Sequence, residues 1–230
     1  MNKINKNPEI SVVMPVYNGE KFLKEAVESI LNQTYSDFEF LIVYDESTDE
    51  TYSIIQEFQE QDARVVLING DKEGISGALN KGIKKAKGKY IARMDANDIS
   101  LPIRFEKQIS HMQKHELDIC GGHSLLIDSD GKINGIGIVP RSHDLCGLSM
   151  MFMIYFAHSS VMIRKIFLTD YSLKYKEKGY FEDFDMWTRM FSAGAKFGNL
   201  DDIVIRYRVL DESLSTIHAT GARRYNRVVL

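Results

Sequence analysis

The chain has 230 residues, of which 44% are apolar and 27% are charged, and its formal net charge at pH 7 is −3. This length accommodates one full-sized hydrophobic core, so we expect a single domain with the composition of a soluble globular protein. A nucleic-acid-binding protein would need a strongly basic face. The charge balance gives no support to such a face, and we expect no nucleic-acid partner.

The two cysteines, Cys120 and Cys146, have neither metal-ligand spacing nor the pattern of a disulfide framework. We expect both to be buried thiols in a reducing compartment. Residues 1–8 are polar and show no signal peptide. These observations favour a cytoplasmic protein, with peripheral association at the cytoplasmic face of a membrane left open.

Strands and helices alternate strictly in the first half of the chain. In chain order the patterns predict a strand over Ile10–Val16, a helix over Glu20–Gln33, a strand over Phe38–Tyr44, a helix over Thr51–Gln61, a strand over Arg64–Asn69, a helix over Gly77–Ala86 that Gly88 ends, and a strand over Tyr90–Met94. This order indicates an α/β protein with a mostly parallel central sheet flanked by helices.

The second half loses this alternation. Its patterns predict a helix over Pro102–Lys114, a hairpin of Ile119–Ile127 and Ile133–Val139 around the turn Asp128–Gly131, a helix over Phe184–Ala193 and a strand over Ile203–Val209. The apolar segment Leu148–Ala157 falls well short of the ~20 residues that a membrane-spanning helix needs. We expect it to pack in the core, the alternative being a surface that contacts lipid.

An acidic cluster follows the strand over Tyr90–Met94. A strand that stops at Met94 would bring Asp95, Asn97 and Asp98 to the carboxyl edge of the sheet, where open α/β sheets bind their ligands. Oxygen ligands of this kind suit Mg²⁺ or Mn²⁺ carrying a diphosphate. The alternative interpretation is an ordinary polar turn.

Similar loops follow the first and second strands, so that three loops able to hold a nucleotide end at one edge. With these motifs in this order, the sequence resembles the family-2 (GT2) inverting glycosyltransferases of the GT-A fold, over about Ile10 to Ser213. The matching stretches are Val12–Asn18, Ser29–Tyr35, Asp45 with Ser47–Asp49, Asn80–Ile83, Tyr90–Asp98 and Glu182–Asp183.

The resemblance implies a GT-A (Rossmann-like) fold and a division of the single domain. Residues 1–9 would be an N-terminal tail, 10–98 the nucleotide-sugar-binding half, and 99–218 the acceptor-binding and catalytic half. Residues 219–230 would form a C-terminal segment, which leaves open whether the natural chain continues beyond Leu230.

The resemblance also implies a donor site for a UDP-sugar. Pro15 and Tyr17 would line the base pocket, and Asp45 would accept a hydrogen bond from the pyrimidine N–H. The remaining donor-binding positions would be Asn18, Asp95, Ala96, Asn97 and His158. Asp45 has an alternative role as a loop carboxylate or helix N-cap, although Asp49 fits the capping role before Thr51 better. A lone histidine such as His158 is also often structural.

Two departures from the family pattern bear on the metal. Asn97 stands where an aspartate is common, and Leu210 stands where many relatives carry a histidine. An amide oxygen can ligate a cation but adds no charge, so a Mg²⁺ or Mn²⁺ site at Asp95, Asn97 and Asp98 would be weakened. Tyr44 and Glu46 also replace the usual aspartate and glycine beside Asp45, which bears on donor specificity.

The acidic pair Glu182–Asp183 opens the last predicted helix. Inverting transfer needs a base for the acceptor hydroxyl, and we assign that role to Asp183, which shares a helical face with Trp187 while Glu182 lies on another. Glu182 and Trp187 would lie on the acceptor side. Acidic residues also open many helices because the helix dipole favours them, and both explanations can hold at once.

We therefore expect a hexosyltransferase-type GT2 enzyme that moves a sugar from a UDP-sugar to a hydroxyl of a glycan or glycolipid, with inversion, in cell-surface polysaccharide synthesis. The alternative is a nucleotide-sugar-binding module of the same fold with little or no turnover. Asn97 and Leu210 favour this alternative, and the Glu182–Asp183 pair opposes it. A nucleotidyltransferase would need a glycine-rich triphosphate loop, and Pro15–Gly19 is not one.

Overall fold

A central sheet flanked by helices organises the computed structural model, which describes residues 7–151, 157–176 and 181–210 and the backbone of residues 227–228. The strands are β1 (Ile10–Val16), β2 (Phe38–Tyr44), β3 (Val65–Asn69), β4 (Tyr90–Arg93), β5 (Ile99–Ser100), β6 (Ile119–Ile127), β7 (Ile133–Gly137), β8 (Met162–Arg164), β9 (Phe197–Arg208) and β10 (Arg227–Val228). The helices are α1 (Glu20–Leu31), α2 (Thr51–Gln61), α3 (Gly74–Lys85), α4 (Arg104–His115), α5 (His143–Met150), α6 (Lys165–Asp170) and α7 (Glu182–Ser192), with a 3₁₀ turn at His158–Ser160.

The sheet is parallel where the chain alternates and mixed elsewhere. Strands β3, β2, β1 and β4 lie side by side in that order, and all three pairings are parallel. Beyond β4 the sheet continues through β8, β6, β7 and β10, whose pairings along this path are antiparallel. Strand β9 runs parallel to β6, and β5 pairs with β9.

Helices cover both faces of the sheet, as the continuous apolar strands predict. Alternate residues of a strand point to opposite faces. Val12 and Met14 therefore join a core with α1, α2 and α4, while Val13 joins a second core with α3, α5, α6 and α7.

The order of the strands places a crevice between β1 and β4. From β1 the chain passes to β2 by α1 on one face, and it reaches β4 by α3 on the other face. The ladder between β1 and β4 ends at the pair Val13–Arg93, two residues before Pro15. The proline, which has no N–H to donate, thus lies where these strands separate.

Most element predictions are confirmed within a few residues, and those for β1, β2, α2 and β6 match at both ends. The interpretation of Gly88 as a helix terminator was wrong. Helix α3 ends before Ala86, which has φ −58°. A methyl group on Gly88 would come within 2.5 Å of the Ser11 amide nitrogen, so glycine is needed there for close approach to β1.

The predicted burial of Leu148–Ala157 is wrong at two of its described positions. Leu148 is 53% exposed and Met151 is 78% exposed, while Met150 between them is buried. Leu148 lies on the outer side of α5, whose inner side packs on α7 and β9, and Met151 directly follows the helix. Residues 152–156 of the segment lie outside the described residues.

Both cysteines are buried free thiols, as expected. Burial raises the pKa of each, to about 12 for Cys120 and about 12 for Cys146. In the ranges that the structure describes, no helix is long and apolar enough to cross a bilayer.

Candidate functional site

The loops after β1 and β2 are joined by hydrogen bonds through Asn18. Its backbone N–H donates to Ser47 Oγ at 2.9 Å, and its side-chain oxygen accepts from the Thr48 N–H at 2.9 Å. Asn18 adopts a left-handed conformation with φ +47°, which asparagine tolerates better than most residues. The ring of Tyr17, next to Asn18, is 65% exposed. Its face is therefore accessible for stacking at this edge.

Asp45 lies at the end of β2, where the loop after β3 holds its carboxylate. Asp45 Oδ1 accepts a hydrogen bond from the Lys72 backbone N–H at 2.9 Å. A methyl group on Gly70 would lie 2.3 Å from the same oxygen, so the loop can approach Asp45 only with glycine there. The N-cap of α2 is Glu50, which makes no side-chain cap bond, and Asp49 beside it accepts from the Thr51 and Glu20 N–H groups at 3.1 Å each.

The loop after β4 carries Asp95 in an ion pair with Arg93. The Arg93 side chain is 3% exposed and that of Asp95 is 27% exposed. The buried guanidinium therefore compensates the charge of the Asp95 carboxylate, which remains partly exposed to solvent. Ala96 follows Asp95 and lies close to the β1 loop, since a methyl group on Gly19 would be 3.7 Å from Ala96 Cβ.

Asp98 does not face the crevice as the metal prediction supposed. It is 1% exposed, and its two oxygens accept hydrogen bonds from Ser159 Oγ and, at 2.7 Å, from the Arg208 N–H. Burial, helped by the charge of Asp95, raises the pKa of Asp98 to about 7. Asp98 thus serves as an internal acceptor that joins the β4 loop to the 3₁₀ turn and to β9.

The Arg208 side chain fixes the other side of the same loop. Its Nε donates to the Asn97 carbonyl at 2.9 Å, and its Nη2 donates to Glu25 of α1 at 2.6 Å. Its Nη1 donates to two carbonyls of the turn between β6 and β7, and the guanidinium lies 4.2 Å from the centre of the Phe22 ring. The backbone of the β4 loop is therefore held rigidly, while the Asn97 side chain is half-buried.

His158 is buried at the edge of the sheet beyond β4. Its Nε2 lies 2.9 Å from the Tyr175 hydroxyl, its Nδ1 lies 3.8 Å from Glu182 Oε1, and Trp187 packs edge-on against its ring. Burial, with a further contribution from the Arg93 cation, holds the pKa of His158 well below its usual value. The ring is consequently neutral at ordinary pH.

Helix α7 places Glu182 and Asp183 in its first turn. Asp183 Oδ1 accepts a hydrogen bond from the Phe184 N–H at 2.8 Å, and the partial positive charge of the helix N-terminus lies beside this carboxylate. Trp187 is fully buried, at 0% exposure. The prediction that Trp187 lines an acceptor surface is therefore wrong, because the Trp187 side chain packs into the core, whereas Asp183, one turn earlier on the same face, is half-buried.

The structure thus brings Pro15, Tyr17, Asn18, Asp45, Asp95, Ala96 and Asn97 to one edge of the sheet, with His158 and the start of α7 beside them. As a metal site the residues fit in part. Asp95 and Asn97 offer one carboxylate and one amide oxygen, whereas Asp98 is engaged internally. Within the described ranges, no three His, Cys, Asp or Glu side chains converge in a way that could hold a metal.

Three residues of this site were missed by sequence reasoning. Arg93 carries a signal, since a charged residue inside an otherwise apolar strand calls for a partner. Ser159 is a small polar neighbour of His158, and Tyr175 follows α6 without a pattern of its own. The contacts of Ser159 and Tyr175 join segments far apart in the chain, and no local pattern predicts such contacts.

This fold is that of the GT-A glycosyltransferases, and the sequence comparisons agree. The chain belongs to the family described as Glycosyl transferase family 2, whose profile matches residues 11–172. It is 36% identical over 209 residues to an uncharacterized glycosyltransferase of Methanocaldococcus jannaschii, a match that covers 88% of this chain and 71% of the relative. It is 32% identical over 212 residues to the O-antigen biosynthesis glycosyltransferase WbnJ of Escherichia coli, covering 89% and 81%. It is also 32% identical over 202 residues to the amylovoran biosynthesis glycosyltransferase AmsE of Erwinia amylovora, covering 86% and 75%.

Solved structures confirm the GT-A fold. S. aureus TarS in complex with UDP-GlcNAc aligns with a TM-score of 0.76 at 18% identity, covering 92% of this chain and 61% of that one. The mannosyltransferase PcManGT of Pyrobaculum calidifontis, in complex with GDP-Man and Mn²⁺, aligns with a TM-score of 0.71 at 15% identity, covering 92% and 60%. The chain therefore spans about three fifths of the length of these structures.

Proposed function

We propose that this glycosyltransferase moves a hexose from a UDP-sugar to a hydroxyl of a glycan or glycolipid, with inversion, in the synthesis of a cell-surface polysaccharide. The observation that carries the proposal is the position of the acidic turn of α7. Glu182 lies 3.8 Å from His158, and the neighbouring Ser159 bonds to Asp98 in the β4 loop. The proposed base therefore stands beside the proposed donor loops.

On the donor side, Tyr17 would stack on the base and Asp45 would accept its imide N–H. The remaining Asp45 oxygen suits this role, since Oδ1 is already held by Lys72. Asn18 of the β1 loop and Asp95, Ala96 and Asn97 of the β4 loop would face the diphosphate. The names of two solved neighbours, with UDP-GlcNAc and with GDP-Man, support a nucleotide-sugar donor. The choice of UDP rests on the family resemblance and on Asp45.

A divalent ion such as Mg²⁺ or Mn²⁺ would be held by Asp95 and Asn97 together with the donor diphosphate, where it would supply positive charge to the leaving group. Arg93 pairs with Asp95 and so holds this carboxylate in place. In the transfer itself, the acceptor oxygen would bond to the anomeric carbon as the bond to the diphosphate breaks. Asp183 would take the hydroxyl proton.

The names of the relatives support the biological setting, because two of them refer to O-antigen and amylovoran biosynthesis. The proposed compartment is the cytoplasm, near a membrane that would carry a glycolipid acceptor. The unbridged thiols of Cys120 and Cys146 support a reducing compartment.

Hydrolysis of UDP-, GDP- and dTDP-sugars, each with and without Mn²⁺, tests the donor. We expect UDP-sugars to be consumed, and Asp45→Ala to weaken UDP binding by about 1–3 kcal/mol in calorimetry. Asp71→Ala is the matched control, since Asp71 is an exposed loop carboxylate paired with Lys81. Equal UDP affinity in wild type and Asp45→Ala would remove Asp45 from the pocket. Tight UDP binding without turnover on any sugar would favour the binding-module alternative.

A further inference from the structure

A series of contacts crosses the second core from α3 to α7. It begins at Asn80, in a stretch that matches the family but has no assigned role. Asn80 Oδ1 accepts from the Tyr175 N–H at 2.9 Å, and Asn80 Nδ2 donates to the Tyr175 carbonyl at 2.8 Å. One amide thus satisfies both backbone groups of Tyr175, a residue just beyond α6.

Tyr175 continues the series to His158. The Tyr175 ring is 3% exposed, and its hydroxyl lies 2.9 Å from His158 Nε2. Burial raises the pKa of this hydroxyl, and the charges of Asp183 and Glu182 add to the effect against the opposing charge of Arg93. The hydroxyl therefore keeps its proton and can donate it in a hydrogen bond.

The neutral imidazole of His158 has one N–H, and its surroundings decide which nitrogen carries it. Nδ1 lies 3.8 Å from Glu182 Oε1, too long for a hydrogen bond but close enough for electrostatic attraction. An N–H directed at a carboxylate is attracted, whereas a ring lone pair directed there is repelled. The Nδ1–H tautomer satisfies both neighbours, because Nε2 can then accept from Tyr175.

We propose that Tyr175, held by Asn80, fixes His158 in its Nδ1–H tautomer, and that this tautomer holds Glu182 against the buried wall so that Asp183 takes the acceptor proton. Asn80, Tyr175 and His158 are then positioning residues in the catalytic turn of α7. The assignment of the tautomer stands on the contacts of His158 with Tyr175 and Glu182 and does not depend on the proposed function. Its effect on Asp183 rests on the proposed function.

Nitrogen-15 NMR of the histidine rings in the full chain tests the tautomer without any substrate. His158→Gln identifies the His158 signals by their loss. We expect a protonated Nδ1 and an unprotonated, hydrogen-bonded Nε2 in the wild type, and a shifted Nε2 signal in Tyr175→Phe. Tyr171→Phe is the control, since Tyr171 is an exposed tyrosine stacked on Phe167. A protonated Nε2 in the wild type would overturn the proposal.

Steady-state kinetics on a UDP-sugar that the wild type consumes tests the consequence. We expect Tyr175→Phe and Asn80→Ala to lower kcat roughly tenfold, since a 1 Å misplacement of reacting groups can cost ~10²-fold, while KM for the donor stays within about twofold. Asn80→Asp keeps the oxygen that accepts from Tyr175, so it should lose less, and Tyr171→Phe should lose nothing.

The two experiments separate the possible failures. If no nucleotide-sugar is consumed but the NMR signals show the Nδ1–H tautomer, the proposed function fails and the tautomer stands. If the tautomer is found and kcat is unchanged in Tyr175→Phe and Asn80→Ala, the positioning role is wrong. A rise in donor KM at constant kcat would likewise contradict it, because the series would then serve donor binding.

Discussion

Two buried titratable side chains, His158 and Asp98, lie in contact with neighbouring segments of the site, and they affect stability in opposite directions. The pKa of His158 is well below 6.5 in the folded chain, so the unfolded state binds more protons as the pH falls through 6.5. That group destabilises the fold at acidic pH. The pKa of Asp98 is about 7, above its ordinary 3.8. The native state holds that proton, so the contribution of Asp98 to stability falls as the pH rises from about 4 to 7.

Because the two contributions oppose each other, the effect of His158 is obtained by comparing the stability of the wild type with that of a variant that lacks this histidine. Relative to wild type, His158→Gln should lose less stability at pH 5 than at pH 7, with a change that approaches about 1.4 kcal/mol per pH unit below 6.5. Urea unfolding at pH 5, 6, 7 and 8 measures the difference. A free-energy difference that stays constant across these pH values would mean that His158 titrates normally.

Asn97 is the residue at which the loop after β4 differs most clearly from the metal ligands that the family pattern implies. Its side chain is half-buried beside Asp95, and an aspartate there would add a charge. Asn97→Asp should tighten Mn²⁺ binding in the presence of UDP, and only feebly without UDP, because Mg²⁺ and Mn²⁺ share their ligands between carboxylates and phosphates. Calorimetric titration of Mn²⁺ with and without UDP measures this. Equal Mn²⁺ affinity in both proteins would place the ion elsewhere.

At the scale of elements, the β4 loop depends on β9 through Arg208. The Arg208 side chain is 2% exposed and that of its partner Glu25 is 54% exposed. Arg208→Met should cost about 1–3 kcal/mol, because the carbonyls that accept from the buried guanidinium would lose their donor. Glu25→Gln should cost about 1 kcal/mol or less, because the glutamate is half in water. Denaturant unfolding of both variants measures the two costs.

Equal costs in these two variants would contradict this role of Arg208. Its stabilising effect would then come from the ion pair with Glu25 and not from its hydrogen bonds to the carbonyls. The carbonyl of Asn97 is one of these contacts. Hydrogen exchange at residues 95–98 should therefore also speed up in Arg208→Met, and exchange at an unchanged rate would mean that the loop is held by other groups.

The alternating elements of the first half were predictable because each depends on a local pattern. The apolar run of Phe40–Val43 is buried on both faces of the sheet, and α1 buries one stripe of its surface. Periodicity records such burial directly. The loops of the candidate site followed, since parallel strands deliver their carboxyl ends to one edge.

What the sequence did not indicate depends on distant contacts. Asp98 was expected to face a metal, yet its partners Ser159 and Arg208 lie 61 and 110 residues further along the chain. Trp187 was expected at the acceptor surface, yet the stripe that made α7 amphipathic is the stripe that the core covers. The exposure of Leu148 and Met151 was also missed, because an apolar segment by itself does not show which of its residues pack against the rest of the protein.

Taken as a whole, the molecule combines two kinds of sheet around one crevice. The parallel strands β1, β2 and β4 position the proposed donor loops. The antiparallel strand β8 follows the turn that carries His158, which faces the start of α7. Donor contacts and the proposed base thus come from different elements. Donor binding and transfer should therefore be separable by substitution.

Asp183→Asn tests this separation, and with it the assignment of the catalytic base, most directly. The measurement is the rate of transfer from an accepted UDP-sugar, beside the UDP affinity of the same protein, with Glu182→Gln as the matched comparison on the same helical turn. We expect Asp183→Asn to keep the UDP affinity of the wild type and to lose ~10²–10⁴-fold in transfer, and Glu182→Gln to lose less. Near-normal transfer by Asp183→Asn with loss in Glu182→Gln would move the base to Glu182, and normal transfer by both variants would contradict a catalytic role for this helix.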